Sequence, residues 1–361
     1  MARLTLLLAI ASSAAISAAA EESVKAVVPD VLPPLTWRDF EMEMVLGTLF
    51  VLYIVSWYRG KQENLKVAKR WMNAHVEYLE QQFALVGDKI NNQRSILMKD
   101  GPADYLLYTT GRRNVQFGHW WIKLKPRNDA LIYLLTRVLA FFGYAKRPTD
   151  RVTVDITLAK EVSQKFVFAI LSASNAKDLR ENRFDLKSMT RVSQSSEIPS
   201  NLTVYSESQK MTDMILATKL GQTVREPSFE SLVISSMPKL EPKKYEGDGH
   251  MVISLAFELS TGSQPDTLVQ IACELPDIIK SLHMTPEIQN KLRKNREDIE
   301  KQFAKRTAEE RAEELARKKA EAKKAEEERV KKLSPTEQRK WEEKERAREM
   351  KKAQKKRTKR A

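Results

Sequence analysis

The sequence is poor in the residues on which disulfide, metal and cofactor chemistry depend. It holds one cysteine, Cys273, and four histidines among 361 residues. A single cysteine excludes an intramolecular disulfide and any multi-cysteine zinc or iron–sulfur site. The 11 glycines form neither a GxxxxGK[ST] nor a GxGxxG loop, the usual signatures of nucleotide binding. We therefore predict no cofactor and no bound metal, and the sequence does not favour an enzyme.

Positive charge is abundant but unevenly placed. The chain has a formal net charge of +14. Residues 291–361 hold 28 Lys+Arg and 16 Asp+Glu, so this segment carries +12. The preceding 290 residues are nearly neutral, and the basicity belongs to one segment.

The first 20 residues have the features of a cleavable signal peptide. Arg3 precedes an apolar run, and small residues lead to Ala18, Ala19 and Ala20 before Glu21. We expect cleavage after Ala20, which leaves residues 21–41 as a short stub. An uncleaved anchor is the alternative.

A second apolar stretch, residues 42–58, is predicted to cross a membrane. Its 17 residues would span about 25 Å as a helix, close to the roughly 27 Å hydrocarbon core of the ER membrane. Its one charge, Glu43, lies at its start, and Trp57 and Tyr58 suit the interface at its end. Thr48 and Ser56 could bond a neighbouring helix, although a bond to their own helix is more common. A buried core helix is the alternative, but the stretch has no polar face.

Charges flanking this stretch predict its orientation. The acids Asp39, Glu41 and Glu43 lie at or before its start. Bases follow it: Arg59, Lys61, Lys66, Lys69 and Arg70. Because cytosolic flanks are enriched in Lys and Arg, we expect the N-terminus in the ER lumen and the bulk of the chain in the cytosol.

Residues 59–284 are predicted to form one cytosolic α/β or α+β domain that begins with a connecting helix over 62–87. Strand patterns cover 105–110, 116–124, 152–158, 165–172, 202–205 and 251–259, and 165–172 reads as a central strand. Helices are expected at 129–142, 175–182, 209–220 and 266–282. For the apolar helix 129–142 we favour packing in the core over a site on the bilayer or a partner.

Catalytic motifs are absent from the sequence of this domain. We interpret His75 and His119 as packing or surface residues. Gly247, Asp248 and Gly249 indicate a turn, with phosphate binding a distant second. A scaffold or binding domain is the better inference.

The tail is predicted to form two helices that protrude and find a partner. Thr285 can cap a charged helix over 285–333, in which Leu292, Ile299 and Phe303 form a short apolar seam. Ser334 and Glu337 form a capping box for a basic helix over 334–361.

Cations of the tail are the predicted binding site for RNA, because a polybasic helix releases counterions from phosphates. Anionic lipid is the second possibility and a merely solubilising tail the third. The residues are Lys331, Lys332, Arg339, Lys340, Lys344, Arg346, Arg348, Lys351, Lys352, Lys355, Lys356, Arg357, Lys359 and Arg360.

Several segments, in this order, resemble the calumin family, the coiled-coil-containing subunit of the PAT complex in the ER membrane. They are YTTGRRN at 108–114, LKPRND at 124–129, RFDLKSMT at 183–190, LTVYSES at 202–208 and KNRED at 294–298. The resemblance covers nearly the whole chain and is closest to a fungal-type member.

This resemblance implies a non-enzymatic role. Family members pair with a small multi-span partner, Asterix, as an intramembrane chaperone for nascent multi-pass proteins. They act at the ribosome-bound Sec61 translocon, where the cytosolic domain and tail reach toward the ribosome. We expect the same partners for this chain.

The family name is also associated with lumenal calcium. Here residues 21–41 contain five acids offset by Lys25 and Arg38, with no EF-hand spacing. A calcium-homeostasis protein acting through this stub is the alternative function.

Overall fold

The computed structural model describes residues 37–87, 96–161, 164–195, 197–245, 247–259, 266–331 and 335–358. The chain divides between Ser56 and Trp57 into two compact units, of which the second holds the folded domain. The predicted signal peptide and residues 21–36 of the stub lie outside the described residues.

The helices are α1 (Glu41–Gln82), α2 (Ala130–Phe141), α3 (Ala176–Asn182), α4 (Phe184–Met189), α5 (Gln209–Leu216), α6 (Lys219–Thr223), α7 (Thr267–Ser281), α8 (Pro286–Lys331) and α9 (Pro335–Thr358). A short 3-10 helix, Trp37–Phe40, precedes α1. The strands are β1 (Leu85–Val86), β2 (Met98–Lys99), β3 (Asp104–Thr110), β4 (Val115–Lys123), β5 (Arg151–Leu158), β6 (Val167–Ser172), β7 (Arg191–Ser193), β8 (Leu202–Ser206), β9 (Phe229–Ser235) and β10 (Val252–Glu258).

Within the described residues these strands form one antiparallel sheet in the order β1-β3-β4-β5-β10-β9-β6-β8-β7, with β2 beside β3. The register places Asp104, Lys123, Arg151 and Glu258 at one end of their strands, which we call the near end. Val167, Ser235, Val252 and Thr157 lie together at the opposite, far end. Antiparallel pairing makes the fold α+β, one of the two predicted classes.

The larger core lies on one face of the sheet. Val152, Val154 and Ile156 of β5 are buried there, whereas the intervening residues are half-buried on the other face. Trp71 and Leu79 of α1 pack on this face, and α7 adds Leu268, Ile271, Leu275 and Ile279. Helix α1 is therefore part of the domain core beyond its apolar first half.

A smaller core covers the opposite face at β6, β8 and β9. Val167, Ala169 and Leu171 of β6 point into it, while Phe168 and Ile170 point into the larger core. Burial on both faces explains why β6 is apolar throughout, and its predicted central position is confirmed.

The sequence patterns located most elements within a few residues. Strands β1, β2, β7 and β9 and helix α4 were not predicted. The predicted connecting helix 62–87 ends at Gln82, because Leu85–Val86 pairs with β3 as strand β1. The predicted helix 209–220 is broken at Thr218, whose Oγ1 accepts a hydrogen bond from the Leu220 N–H at the start of α6. The preference for core packing of helix 129–142 is wrong. No residue of α2 is buried, and Asp129 caps it by accepting a hydrogen bond from the Ile132 N–H at 3.0 Å.

Candidate functional site

The predicted span is the apolar first half of α1. Of the described helices, α1 is the one long and apolar enough to cross a membrane, and its most apolar window is not buried. Glu43 lies in its first turn and Thr48 donates a hydrogen bond to its own helix at Met44 O, 2.7 Å away. Thr48 therefore takes the bond within its own helix that the sequence favoured. Ser56 is half-buried.

Residues at the end of the span and just after it follow the interfacial pattern. Tyr58 and Arg59 are exposed, and Trp57 is half-buried. The Lys61 Nζ lies 4.8 Å from the centre of the Trp57 ring, within cation–π range. An aromatic ring next to a long cationic side chain is suited to the boundary between hydrocarbon and water.

Gly60 brings the backbone of α1 into direct contact with the loop between β4 and α2. A Cβ atom at this position would lie 2.0 Å from the carbonyl oxygen of Arg127 and 2.6 Å from the amide nitrogen of Asn128. Only glycine allows this approach, which fixes the loop to α1 two residues after the end of the predicted span.

One turn further along α1, Asn64 joins a polar network at the near end of the sheet. Its Nδ2 donates to the carbonyl oxygens of Pro102 and Lys125 at 3.3 and 3.2 Å. Its Oδ1 accepts from Arg127 Nη1 at 3.1 Å. We call Gly60, Asn64, Arg127 and Asp150 the juxtamembrane clamp.

Arg127 and Asp150 complete the clamp with two parallel hydrogen bonds of 2.8 and 2.7 Å. Partial burial of the Asp150 carboxylate raises its pKa, but the hydrogen bonds from Arg127 and from the Lys125 N–H outweigh that effect and hold its pKa below the ordinary value. The carboxylate therefore stays charged and paired, and the clamp connects α1 to three strand ends.

At the far end of the sheet, Arg296 attaches the tail helix α8. Its Nη1 lies 3.3 Å from the fully buried Glu207 carboxylate, and its Nε lies 2.5 Å from Asp248 Oδ2. Its Nη2 donates to the carbonyl oxygen of Lys165 at 2.8 Å. Glu207 also accepts from the Val167 N–H at 2.8 Å and from Asn295 Nδ2 at 3.0 Å.

Helix α8 passes across the strand ends at this point. Before Arg296, Ile288 and Leu292 are buried in the larger core. After it, Ile299 and Phe303 are buried in the smaller core, where the Phe303 ring stacks on Tyr245 with centres 6.0 Å apart. We call residues 286–303 the tail root. The turn at Gly247 supplies Asp248 to this root, so the motif predicted as a turn fixes a helix.

The juxtamembrane clamp and the tail root therefore lie at opposite ends of the same strands. A seven-residue strand such as β10 covers about 20 Å between its first and last residue. The sheet thus separates the clamp, near the end of the predicted span, from the point where the tail leaves the domain.

Beyond Phe303 the tail helix has no core. Arg306 still pairs with Glu241, and the side chains that follow up to Val330 are almost all exposed where the structure describes them. Helix α9 contacts the end of α8 at the corner, where Gln338 Nε2 donates to Val330 O at 3.1 Å and Trp341 Nε1 to Glu326 Oε1 at 3.4 Å.

The predicted cation site falls on α9 and its surroundings. Six of its side chains are exposed on α9: Arg339, Lys340, Lys344, Arg346, Arg348 and Lys351. Lys331, Lys352, Lys355, Lys356 and Arg357 are helical, but their side chains lie outside the described set, as do the whole residues Lys332, Lys359 and Arg360. Helical backbone thus carries most of the predicted site.

Reactive side chains elsewhere have structural roles. Cys273 is buried in α7, and burial raises its pKa to about 12. His75 is buried and stacks on Trp71, and burial lowers its pKa. In the described part of the chain no three His, Cys, Asp or Glu side chains are grouped to hold a metal. The calcium alternative concerns residues 21–41, which are mostly outside that part.

Comparison with known proteins gives the family. The family model described as PAT complex subunit CCDC47 matches residues 39–352. The chain belongs to the CCDC47 family. This agrees with the resemblance seen in the sequence.

Individual relatives are distant. The UPF0674 endoplasmic reticulum membrane protein C2G5.01 of Schizosaccharomyces pombe is 31% identical over 224 residues, 59% of each chain. The PAT complex subunit CCDC47 of Danio rerio is 29% identical over 299 residues, 75% of this chain and 60% of the relative. That of Xenopus laevis is 28% identical over 300 residues, 75% of this chain and 59% of the relative. The chain thus spans about three fifths of the length of these curated relatives.

The structure explains two of the segments that resemble the CCDC47 family. Residues 124–129 (LKPRND) contain Lys125 and Arg127 of the clamp region and the α2 cap Asp129. Residues 294–298 (KNRED) contain Asn295 and Arg296 of the tail root. Neither attachment was predicted from the sequence. The available signals were a glycine inside a helix and an arginine that interrupts the apolar seam of α8.

Proposed function

We propose that this protein is an ER membrane scaffold and chaperone subunit that acts at the ribosome-bound Sec61 translocon during the biogenesis of multi-pass membrane proteins. The apolar half of α1 anchors it, the sheet domain serves as adaptor, and the basic tail binds the ribosome. A small multi-span membrane protein of the Asterix type is its proposed partner, and nascent membrane proteins are its proposed clients.

Family membership is the first support, because the matching model is named for a subunit of the PAT complex. The relative from Schizosaccharomyces pombe is named as an endoplasmic reticulum membrane protein. An exposed apolar helix that could span a membrane agrees with that location.

The observation that carries the proposal is the attachment of the two functional segments at opposite ends of one sheet. The clamp holds the near end to α1, and the buried ion pairs of the tail root hold α8 at the far end. Because the tail root is packed in the two cores, α8 is fixed where it leaves the domain. From Phe303 to Lys331 it extends by 28 residues, about 42 Å.

The exposed cations of α9, the helix that follows α8, are the residues that would contact RNA. These side chains are exposed, so they are free to contact phosphates. Binding through such residues releases counterions and weakens steeply as salt rises. Orientation follows from the flanking charges, which favour a lumenal N-terminus and a cytosolic tail.

Co-sedimentation with ribosomes tests the tail assignment. The full chain, in gently solubilised membranes, should associate with ribosomes in a salt-sensitive manner, and deletion of residues 334–361 should abolish the association. Salt-insensitive association, or association unchanged by the deletion, contradicts it.

A matched pair of charge variants separates position from total charge. One replaces the six exposed cations of α9, Arg339, Lys340, Lys344, Arg346, Arg348 and Lys351, by glutamine. The control replaces six cations of α8, Arg311, Arg317, Lys318, Lys319, Lys324 and Arg329, by glutamine. Both lose six positive charges on a helix, and we expect a larger loss of binding from the first. Equal losses indicate nonspecific attraction. Co-purification of a small multi-span protein with all variants tests the second partner independently.

A further inference from the structure

Helix α2 exposes an apolar surface that no described residue of the domain covers. Leu131 is 69% exposed, Leu134 62% and Phe141 81%, and none of the twelve residues of the helix is buried. Phe142 and Tyr144, just after the helix, are also exposed. Soluble domains rarely leave a contiguous apolar patch of this kind in water.

The apolar side chains lie on one side of α2. At 100° per residue, Leu131, Leu134, Leu135 and Val138 follow the i, i+3, i+4, i+7 pattern of one helix face. Tyr133, Thr136 and Arg137 lie on the opposite side. Thr136 bonds its own helix at Ile132 O, and the Arg137 guanidinium lies 5.8 Å from the Tyr133 ring centre. The helix is amphipathic, and its apolar side faces away from the core.

The length of α2 excludes a transmembrane span. Twelve residues extend for about 18 Å, well short of a hydrocarbon core of roughly 27 to 30 Å. A short amphipathic helix with a wide apolar side is suited to lie in the plane of the interface, with that side about 5 to 10 Å below the headgroups.

The position of α2 favours the bilayer as the surface that its apolar side contacts. Its first residue, Ala130, follows Arg127 and Asn128, which contact Gly60 directly. Gly60 is only two residues beyond the apolar stretch 42–58. The clamp therefore holds the start of α2 against a residue that lies two positions after the predicted span.

Charges around α2 agree with this placement. Arg137, Lys146 and Arg147 are exposed, whereas the two acids that flank α2 in the chain are engaged: Asp129 caps the helix and Asp150 pairs with Arg127. Residues 130–149 thus hold three cations and no acid, and the cytosolic leaflet of cellular membranes is negatively charged.

We propose that α2 inserts its apolar side into the bilayer leaflet at which the span of α1 ends, as a second membrane attachment of the domain. With α1 it would fix the domain at two points and prevent it from turning about the axis of a single span. The inference rests on the membrane anchorage in the proposed function and is independent of ribosome binding.

Depth-dependent quenching of a fluorophore tests this. Leu135→Cys in the full chain is labelled with an environment-sensitive nitrobenzoxadiazole probe, with the unaltered chain as the labelling blank for buried Cys273. The protein is reconstituted, without ribosomes, into vesicles of phosphatidylcholine and phosphatidylserine. We expect blue-shifted emission, quenching by doxyl lipids with the nitroxide near the headgroup, and protection from aqueous iodide.

Leu240→Cys is the matched control. Leu240 is another leucine, 77% exposed, and it follows Lys239, whose Nζ lies 4.0 Å from Asp155 on the sheet face opposite the larger core that α1 covers. Its probe should emit as in water, respond to iodide and ignore doxyl lipids. Leu131→Cys, on the same side of α2 as Leu135, repeats the test if the first variant folds poorly.

Two results would overturn the inference. Emission and iodide quenching at Leu135 equal to those at Leu240 would mean that α2 stays in water. Blue-shifted emission without quenching by doxyl lipids would mean that protein, such as a second copy of the chain, covers this side. Loss of ribosome association with Leu135 still quenched by lipid would contradict the tail assignment and leave this inference standing.

Discussion

Arg296 and Glu207 form an ion pair at the point where α8 passes from one face of the sheet to the other. The Glu207 side chain is fully buried, and its oxygens also accept hydrogen bonds from the Val167 N–H and from Asn295. Burial raises the pKa of Glu207 against the opposing effect of Arg296. The carboxylate therefore depends on its partner, and this dependence makes the pair a sensitive test of how the tail is fixed.

Replacing Arg296 by methionine should destabilise the full chain strongly. Loss of one member of a buried pair leaves the other charge uncompensated, which typically costs about 3 to 5 kcal/mol. Thermal unfolding in detergent should show a clear fall in Tm. The double variant Glu207→Leu with Arg296→Met should lose less than the two single variants summed, because the fully buried Glu207 carboxylate is no longer present without its partner. Additive losses would mean that the two residues are not coupled.

Replacing Gly60 by alanine should weaken the attachment of α1 to the domain. Alanine is favoured over glycine inside a helix by about 1 kcal/mol. At a position with room for a Cβ atom, the substitution would therefore stabilise the protein. Here the new Cβ would lie 2.0 Å from the Arg127 carbonyl oxygen, and we expect a net loss in Tm. Gly47→Ala in the same helix is the control, because a Cβ there meets nothing within 4 Å. A similar gain in both variants would show that the close contact at Gly60 is absent.

The clamp should make stability depend on pH in the acid range. The pKa of Asp150 is lower in the folded chain than its ordinary value of 3.8, so its contribution is fully present above about pH 4 and is lost as the pH falls through the lowered value. Asp150→Asn should lower Tm at pH 7. The difference from the unaltered chain should shrink progressively below pH 4, and a difference that stays constant at all pH values would contradict the role of the charge.

Cys273 should report on opening of the larger core. Burial raises its pKa to about 12, so almost no reactive thiolate forms at pH 8. Since it is the only cysteine, an aromatic disulfide reagent measures this site alone. We expect almost no reaction in the folded chain and complete reaction in denaturant. Rapid reaction without denaturant would mean that α7 opens readily.

Local patterns predicted most of the fold because they depend on neighbouring residues. Alternation in β5 and the uniform apolar run of β6 indicate one buried face and two buried faces respectively, and the structure confirms both. Thr285 followed by Pro286 marked the start of α8. Strand β9 was missed although its sequence, FESLVIS, is apolar enough for a strand.

The sites that fix the domain were harder to foresee because each joins residues far apart in the chain. Gly60 and Arg127 are separated by 67 positions, and Glu207 and Arg296 by 89. The local sequence around each residue does not indicate which distant residue it contacts. The same reason explains the error at α2. The apolar composition of this helix predicts packing in the core, but elements distant in the chain decide whether its apolar side is covered.

The sequence by itself determined the apolar stretch 42–58, the charge asymmetry around it, the coreless basic tail and the family, since each depends on composition or on order along the chain. Only the tertiary structure decided that the clamp and the tail root lie at opposite ends of the sheet and that α2 is left exposed. Antiparallel register assigns each loop to one end of the strands, and that assignment depends on pairing partners that local sequence does not specify.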